Sequence, residues 1–125
     1  MAALDPYLKA AGRALLSIVF IWAGYEKLTG FSGSQAYMAK FGVPGQLLPL
    51  VILTELGGGL AILLGWKTKY VALALAGFTL LAGLIFHTDF ASKVQLIMFM
   101  KNLAIAGGFL LLAASGPGAL SLDER

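Results

Sequence analysis

Cysteine is missing from this 125-residue chain, histidine occurs once, and charged residues contribute only 12%. Without cysteine there is no disulfide, no thiolate metal centre and no CxxC redox shuttle, so any redox chemistry must belong to a cofactor or a partner. A single histidine with no thiol beside it is a poor metal site, and no metal ligand set is assigned. The charged fraction is about half that of an ordinary soluble domain, too small to cover a water-facing surface. The net charge of +3 is spread along the chain and not gathered into a basic cluster, which argues against nucleic acid as a partner.

What fills the chain instead is apolar, with 59% of residues hydrophobic. They fall into four runs, Leu8 to Tyr25, Leu47 to Gly65, Tyr70 to Phe86 and Leu96 to Ala114. At about 1.5 Å of rise per residue each run covers roughly 26–29 Å as a helix, close to the thickness of the hydrocarbon core. The pattern predicts an all-α integral membrane four-helix bundle that uses residues 1–125 as a single transmembrane domain embedded in a lipid bilayer. The first run is expected to stay with the protein and not to be cleaved as a secretory signal, because three further spans follow.

Asp5-Pro6 is placed as N-cap and first residue of the opening helix, and Thr29-Gly30 as its end. Phe31 to Pro44 is the one long connection. Ser34 is positioned to cap a short interfacial helix with Tyr37, Met38 and Phe41 on one side, stopped by Gly42 and Pro44; an irregular loop is the competing reading. Only Trp66-Lys67-Thr68-Lys69 separates spans two and three, which makes them antiparallel neighbours, and His87 to Gln95 joins spans three and four. Ser115-Gly116-Pro117-Gly118 closes the last helix and leaves a tail, Ala119 to Arg125, too short to fold alone.

Four spans put both termini on one side. Lys9, Arg13, Lys67, Lys69 and Arg125 lie on that side, against Lys27, Lys40 and Lys93 on the other, so the positive-inside rule makes it cytoplasmic. Trp66 and Tyr70 then mark the inner interface, Tyr25 and Tyr37 the outer one. Small residues recur four apart at Gly57, Ala61 and Gly65, at Ala72 and Ala76, and at Ala104 and Gly108, which suits close helix approach within the bundle or at a homo-oligomer seam.

Ionisable residues sit within these spans or at their ends: Arg13, Glu26, Lys27, Glu55, His87 and Lys101. From the helical rise, Glu55 lies about 12 Å below Leu47 and Lys101 about 8 Å below Leu96, with Glu26, Lys27 and His87 at the outer ends. Five such groups from four helices therefore share the outer half, joined by Asn102 and Thr54. Arg13, about 18 Å below Tyr25, is expected within reach of Glu55. A charge near the bilayer centre costs a few kcal/mol, so Glu55 and Lys101 should face inward, with Arg13 and Lys101 as candidate partners for Glu55.

Three readings of this cluster stay open. It is a structural ion-pair network that fixes helix register. It is a polar pocket, open outward, that meets the head of a lipophilic small molecule or passes protons. Or it belongs to a docking surface for another membrane subunit. His87 either hands protons to a bound ligand or is a solvated helix end. Gly57, Gly58 and Gly59 lie inside a span with no strand before them, so they are not a phosphate loop and instead thin the helix beside Glu55. No nucleophile with a base is visible, and no catalytic residue is assigned.

Arg13 with Phe20 and Gly24-Tyr25-Glu26-Lys27-Leu28, then Glu55-Leu56-Gly57-Gly58, Gly65, His87, Lys101-Asn102-Leu103-Ala104, Gly107-Gly108 and Gly116-Pro117-Gly118 form an ordered set that resembles the DoxX family over essentially the full length. The resemblance implies a small multi-pass protein of the bacterial cytoplasmic (inner) membrane. Some relatives are linked to redox assemblies, among them a thiosulfate:quinone oxidoreductase in archaea and a mycobacterial complex containing superoxide dismutase and a sulfurtransferase. Lack of cysteine sets aside a direct thiol role here. The expectation is a redox-associated subunit or ligand-binding component with no cofactor of its own chain, holding a quinone or another lipophilic molecule. Glu55, Lys101, Asn102, Arg13, His87, Glu26 and Lys27 would line its pocket. Its expected partners are other membrane, periplasmic or cytoplasmic redox subunits, or copies of itself. The alternative is a non-catalytic assembly partner whose buried ion pairs are purely structural.

Overall fold

In lipid no water satisfies a backbone amide, so each apolar run closes its own hydrogen bonds as a helix. The computed structural model describes residues 2–124. Its helices are α1 (Asp5–Thr29), α2 (Phe31–Lys40), α3 (Gly45–Leu64), α4 (Thr68–Phe86) and α5 (Lys93–Ser115). All but α2 are long and apolar enough to cross a membrane. Arg125, one of the charges assigned to the terminal side, lies outside the described residues.

The helix ends depart from the expected ones for local reasons. A 3-10 turn, Ala2–Leu4, precedes α1, so Leu4 takes the cap position, Asp5 is already helical, and the cap has no side-chain hydrogen bond. The same helix runs beyond Tyr25 through Glu26 and Lys27 to a cap at Gly30. The short interfacial helix forms, but it starts at Phe31 directly behind Gly30, and Ser34 lies within its first turn with its amide bonded to Gly30 O at 2.9 Å. Ser92 caps α5, its hydroxyl accepting from the Gln95 amide at 3.4 Å, so the polar Lys93 and Gln95 belong to the helix.

Two tight pairs make the bundle, α4 against α5 and α1 against α3. Glycine permits the second. A Cβ at Gly24 would fall 2.6 Å from Leu56 Cγ, and one at Gly59 would fall 2.9 Å from Ile21 Cγ1. The pairs meet in the half nearest the termini. There Phe20 of α1 packs edge-on against Phe109 of α5 with ring centroids 5.4 Å apart, and Ile62, Ala72, Leu75, Ala76, Ala106 and Leu112 complete the core. Ala61, Ala72 and Ala76 are buried inside the bundle, so these small residues serve packing within one chain, whereas Gly57 and Ala104 are exposed. A second apolar cluster, Met38, Leu48 and Ile52 with Phe86 and Val43, fastens α2 over the α3–α4 side of the opposite end.

The terminal end is held by a polar clasp. Gly65 adopts φ +72°, the left-handed conformation that glycine accepts readily, and Trp66 N donates to Ala61 O at 2.9 Å in a Schellman-type stop. Arg13, 2% exposed, donates from Nη1 to the carbonyls of Ile62 at 3.3 Å and Leu63 at 3.1 Å, and from Nη2 to the carbonyl of Leu120. The tail is thereby docked. Asp123 accepts from the amides of Lys67 at 2.6 Å and Thr68 at 2.8 Å, capping α4, while its own amide donates to Gly65 O at 2.9 Å.

Partial burial pulls the Asp123 carboxyl pKa up, but the Thr68 and Lys67 hydrogen bonds and the Arg13 guanidinium outweigh it and hold the group below its ordinary value. A depressed carboxylate stabilises the fold above its unfolded pKa and loses that contribution as pH falls through the folded one. Tail docking is therefore expected to be constant around neutral pH and to weaken only below about pH 4. Trp66 fluorescence in a Trp22→Phe background, followed from neutral to acid pH, measures this, and Asp123→Asn should flatten the response.

Candidate functional site

Above the Phe20–Phe109 contact the two helix pairs diverge, and the space between them is a cavity of about 870 Å³. Phe20 and Ile105 form its floor, and its upper wall includes Tyr37 and Phe86. Those two rings stack at 5.5 Å with 18° between their planes, and Phe41 meets Phe86 at 5.0 Å, so α2 acts as an aromatic cover tied to the end of α4. The aromatic side expected for the short helix is thus directed onto α4.

Between floor and cover runs a polar belt. Glu55, 6% exposed, sits in the middle of a π-helical turn, Leu53–Gly57, within α3. Such turns leave backbone bonds out of the ordinary ladder and recur at functional sites. Directly after it, Gly58 passes so close to α4 that a Cβ would lie 2.9 Å from Leu75 Cδ2, which is the thinning expected beside Glu55. The carboxylate pairs with Lys27 of α1. The ammonium lies 3.0 Å from Oε1 and donates to Oε2 at 3.3 Å.

This partner differs from the two expected. Arg13 is committed to Ile62 and Leu63, which lie seven and eight residues beyond Glu55 in α3, roughly 11–12 Å further along the helix. It belongs to the clasp and does not line the cavity. Lys101 does line it, but it is exposed and makes no ion pair among the described residues, its ammonium lying 4.0 Å from Met98 Sδ.

The other anticipated residues converge on the cavity: Glu26, Lys27, Glu55, His87, Lys101 and Asn102 all contribute to its wall. Asn102 is buried and donates from Nδ2 to Thr79 O at 3.1 Å, tying α5 to α4 where Gly83 leaves room for it. His87 ends α4, its amide bonded to Gly83 O at 3.0 Å, and Nδ1 is 3.0 Å from Gln95 Oε1, a hydrogen bond when Nδ1 carries the proton. Thr54 spends its hydroxyl on Leu50 O at 2.8 Å, as threonines in helices commonly do. Among the described residues no group of three His, Asp or Glu gathers as a metal site.

Two contributors were not anticipated. Thr79 has a buried hydroxyl without a hydrogen-bond partner and lines the cavity. The signal was present, since Thr79 is the one hydroxyl side chain in the apolar run between Tyr70 and Phe86 besides Tyr70 itself. Trp22, 60% exposed, also borders the cavity.

Comparison with known proteins agrees with this architecture. The DoxX family profile matches residues 8–88. The chain is 60% identical to Inner membrane protein YqjF of Escherichia coli (strain K12) over 90% of its length and 86% of that protein's. It is 38% identical to Inner membrane protein YphA of the same strain over 98% of its length and 93% of that protein's. No solved structure matches it. Four membrane-length helices, a matching family profile and near full-length similarity to inner membrane proteins lead to one assignment: the chain belongs to the DoxX family and is a multi-pass protein of the inner membrane.

Proposed function

We propose that this protein is a ligand-binding component of the inner membrane associated with redox chemistry. Its outer-half cavity would hold the head of a lipophilic molecule, a quinone being the redox-linked candidate. The observation that carries the reading is the 870 Å³ cavity, apolar at floor and cover and polar between them, in a chain whose other half is close-packed. Mostly apolar walls with a few convergent polar groups are what small-molecule sites share. Arg13 is no longer part of the proposed set; Glu55, Lys27, Glu26, Lys101, Asn102 and His87 remain, with Thr79 added. Redox activity would then come from the occupant or from partner subunits, since the chain has no cysteine. Mass spectrometry of an organic extract of the purified protein should reveal one lipophilic species at near-stoichiometric amount. An extract with the composition of the surrounding membrane would refute the reading.

The second reading, a non-catalytic assembly partner with purely structural ion pairs, draws support from the Lys27–Glu55 bridge, which joins α1 to α3 directly, although Glu55 Oε1 has no hydrogen-bond partner among the described residues. It differs from the first in what removal of the bridge does to ligand retention, a contrast developed in the Discussion.

A further inference from the structure

Four full charges line the cavity, Glu26, Lys27, Glu55 and Lys101. Lys27 and Glu55 neutralise each other at 3.0 Å. That leaves one carboxylate and one ammonium, Glu26 and Lys101, with no ion pair among the described residues. Each is poorly placed by itself. Glu26 lies in the last turn of α1, where the negative end of the helix dipole opposes a carboxylate. Lys101 lies eight residues inside α5, about 12 Å along a membrane-crossing helix, with a thioether as its noted neighbour. An intramembrane ammonium in that position calls for an anionic partner. The two do not answer each other's need, being further than 4.0 Å apart.

The contacts around the cavity are also one-sided. Where α1 meets α5, Phe20 and Phe109 touch and Leu16 reaches Gly108, but further out the two helices share no hydrogen bond or ion pair among the described residues. The aromatic cover packs against α3 and α4. Glu26 of α1 and Lys101 of α5 line the cavity and are both exposed.

We infer that the cavity takes an amphiphile with a zwitterionic head, which enters between α1 and α5 and sets a phosphate or carboxylate against Lys101 and an ammonium against Glu26. The inference rests on the cavity reading and narrows its occupant from any polar head to one that carries both charges. Trp22 borders the cavity and reports occupancy once Trp66 is replaced, because the chain has two tryptophans.

The test uses the full chain carrying Trp66→Phe in nonionic maltoside micelles. Amphiphiles with one common nitroxide-labelled chain carry a phosphoethanolamine, phosphate monoester, primary amine or neutral glycerol head. Phosphoethanolamine should quench Trp22 at about tenfold lower concentration than the others, the worth of one charge-assisted contact. Glu26→Gln should move the preference to the phosphate monoester, and Lys101→Gln should move it to the amine. Equal quenching by all four heads, a preference for the neutral head, or an order unchanged in both variants overturns the inference and leaves the cavity reading standing. Quenching no stronger than that of a tryptophan ester dissolved in the same micelles overturns both. Displacement by chain-free phosphoethanolamine at equal concentration overturns the amphiphile and assigns the site to a soluble zwitterion.

Discussion

Arg13→Ala is expected to produce the largest loss of stability of any single substitution in this chain. The guanidinium is buried and serves three carbonyls, those of Ile62, Leu63 and Leu120, beside the Asp123 contacts that also tie the tail to the α3–α4 turn. An acceptor left buried without a donor costs about 1–3 kcal/mol, and Ile62 O keeps the Gly65 amide, so stranding the Leu63 and Leu120 carbonyls should cost on the order of 3 kcal/mol. Arg13→Lys should recover only a part, since an ammonium is a point charge and cannot fork across carbonyls on two sides. Thermal unfolding in detergent measures both, and tail proteolysis reports release of the segment after Gly116. A loss under about 1 kcal/mol for Arg13→Ala would mean that water or lipid replaces the clasp at little cost. The cavity lies in the other half of the bundle, so ligand retention at temperatures where the variant is folded should be unchanged.

Glu55→Leu is the second large effect and separates the two functional readings. Alone it strands the Lys27 ammonium, whose side chain is 32% exposed and so keeps some hydration. Breaking a fully buried pair costs about 3–5 kcal/mol, and the partial exposure lowers the expectation to about 2 kcal/mol. Replacing both members, Lys27→Met with Glu55→Leu, removes the stranded charge and should bring stability to within about 1 kcal/mol of the parent, a non-additivity expected of residues in contact. If the cavity binds a polar head, ligand retention falls at least tenfold in the single and the double variant alike. If the pair only holds helices together, retention follows stability and returns in the double variant. The two outcomes do not overlap.

The four spans were legible because lipid leaves the backbone no alternative, and the apolar runs mark them within a few residues at each end. Their boundaries shifted where polar residues are helical without being buried in lipid, as with Glu26 and Lys27 at the end of α1 and Lys93 at the start of α5. The convergence of Glu26, Lys27, Glu55, His87, Lys101 and Asn102 was legible from depth along the helices, since few levels in the bundle hold polar groups. The pairing was not. Depth fixes how far down a residue sits and says little about which neighbouring helix it faces, so Glu55 finds Lys27 in place of Arg13 or Lys101. Arg13 was misjudged for a further reason. Gly65 frees carbonyls at its level, and the tail, short as it is, brings another, so the guanidinium has better acceptors than a distant carboxylate. The π turn at Glu55 left no mark in the residue pattern beyond the glycines that follow it.

The Arg13 clasp also bears on how the protein is made. Leu120 is synthesised 107 residues after the arginine whose guanidinium it receives. Helices enter the bilayer in chain order, so while α4 and α5 are being translated that cation has the Ile62 and Leu63 carbonyls of α3 but not its third acceptor. Locking of the clasp therefore waits for the segment after Gly116, and a chain released before that segment is made would carry the arginine with one acceptor missing and the start of α4 without its Asp123 cap.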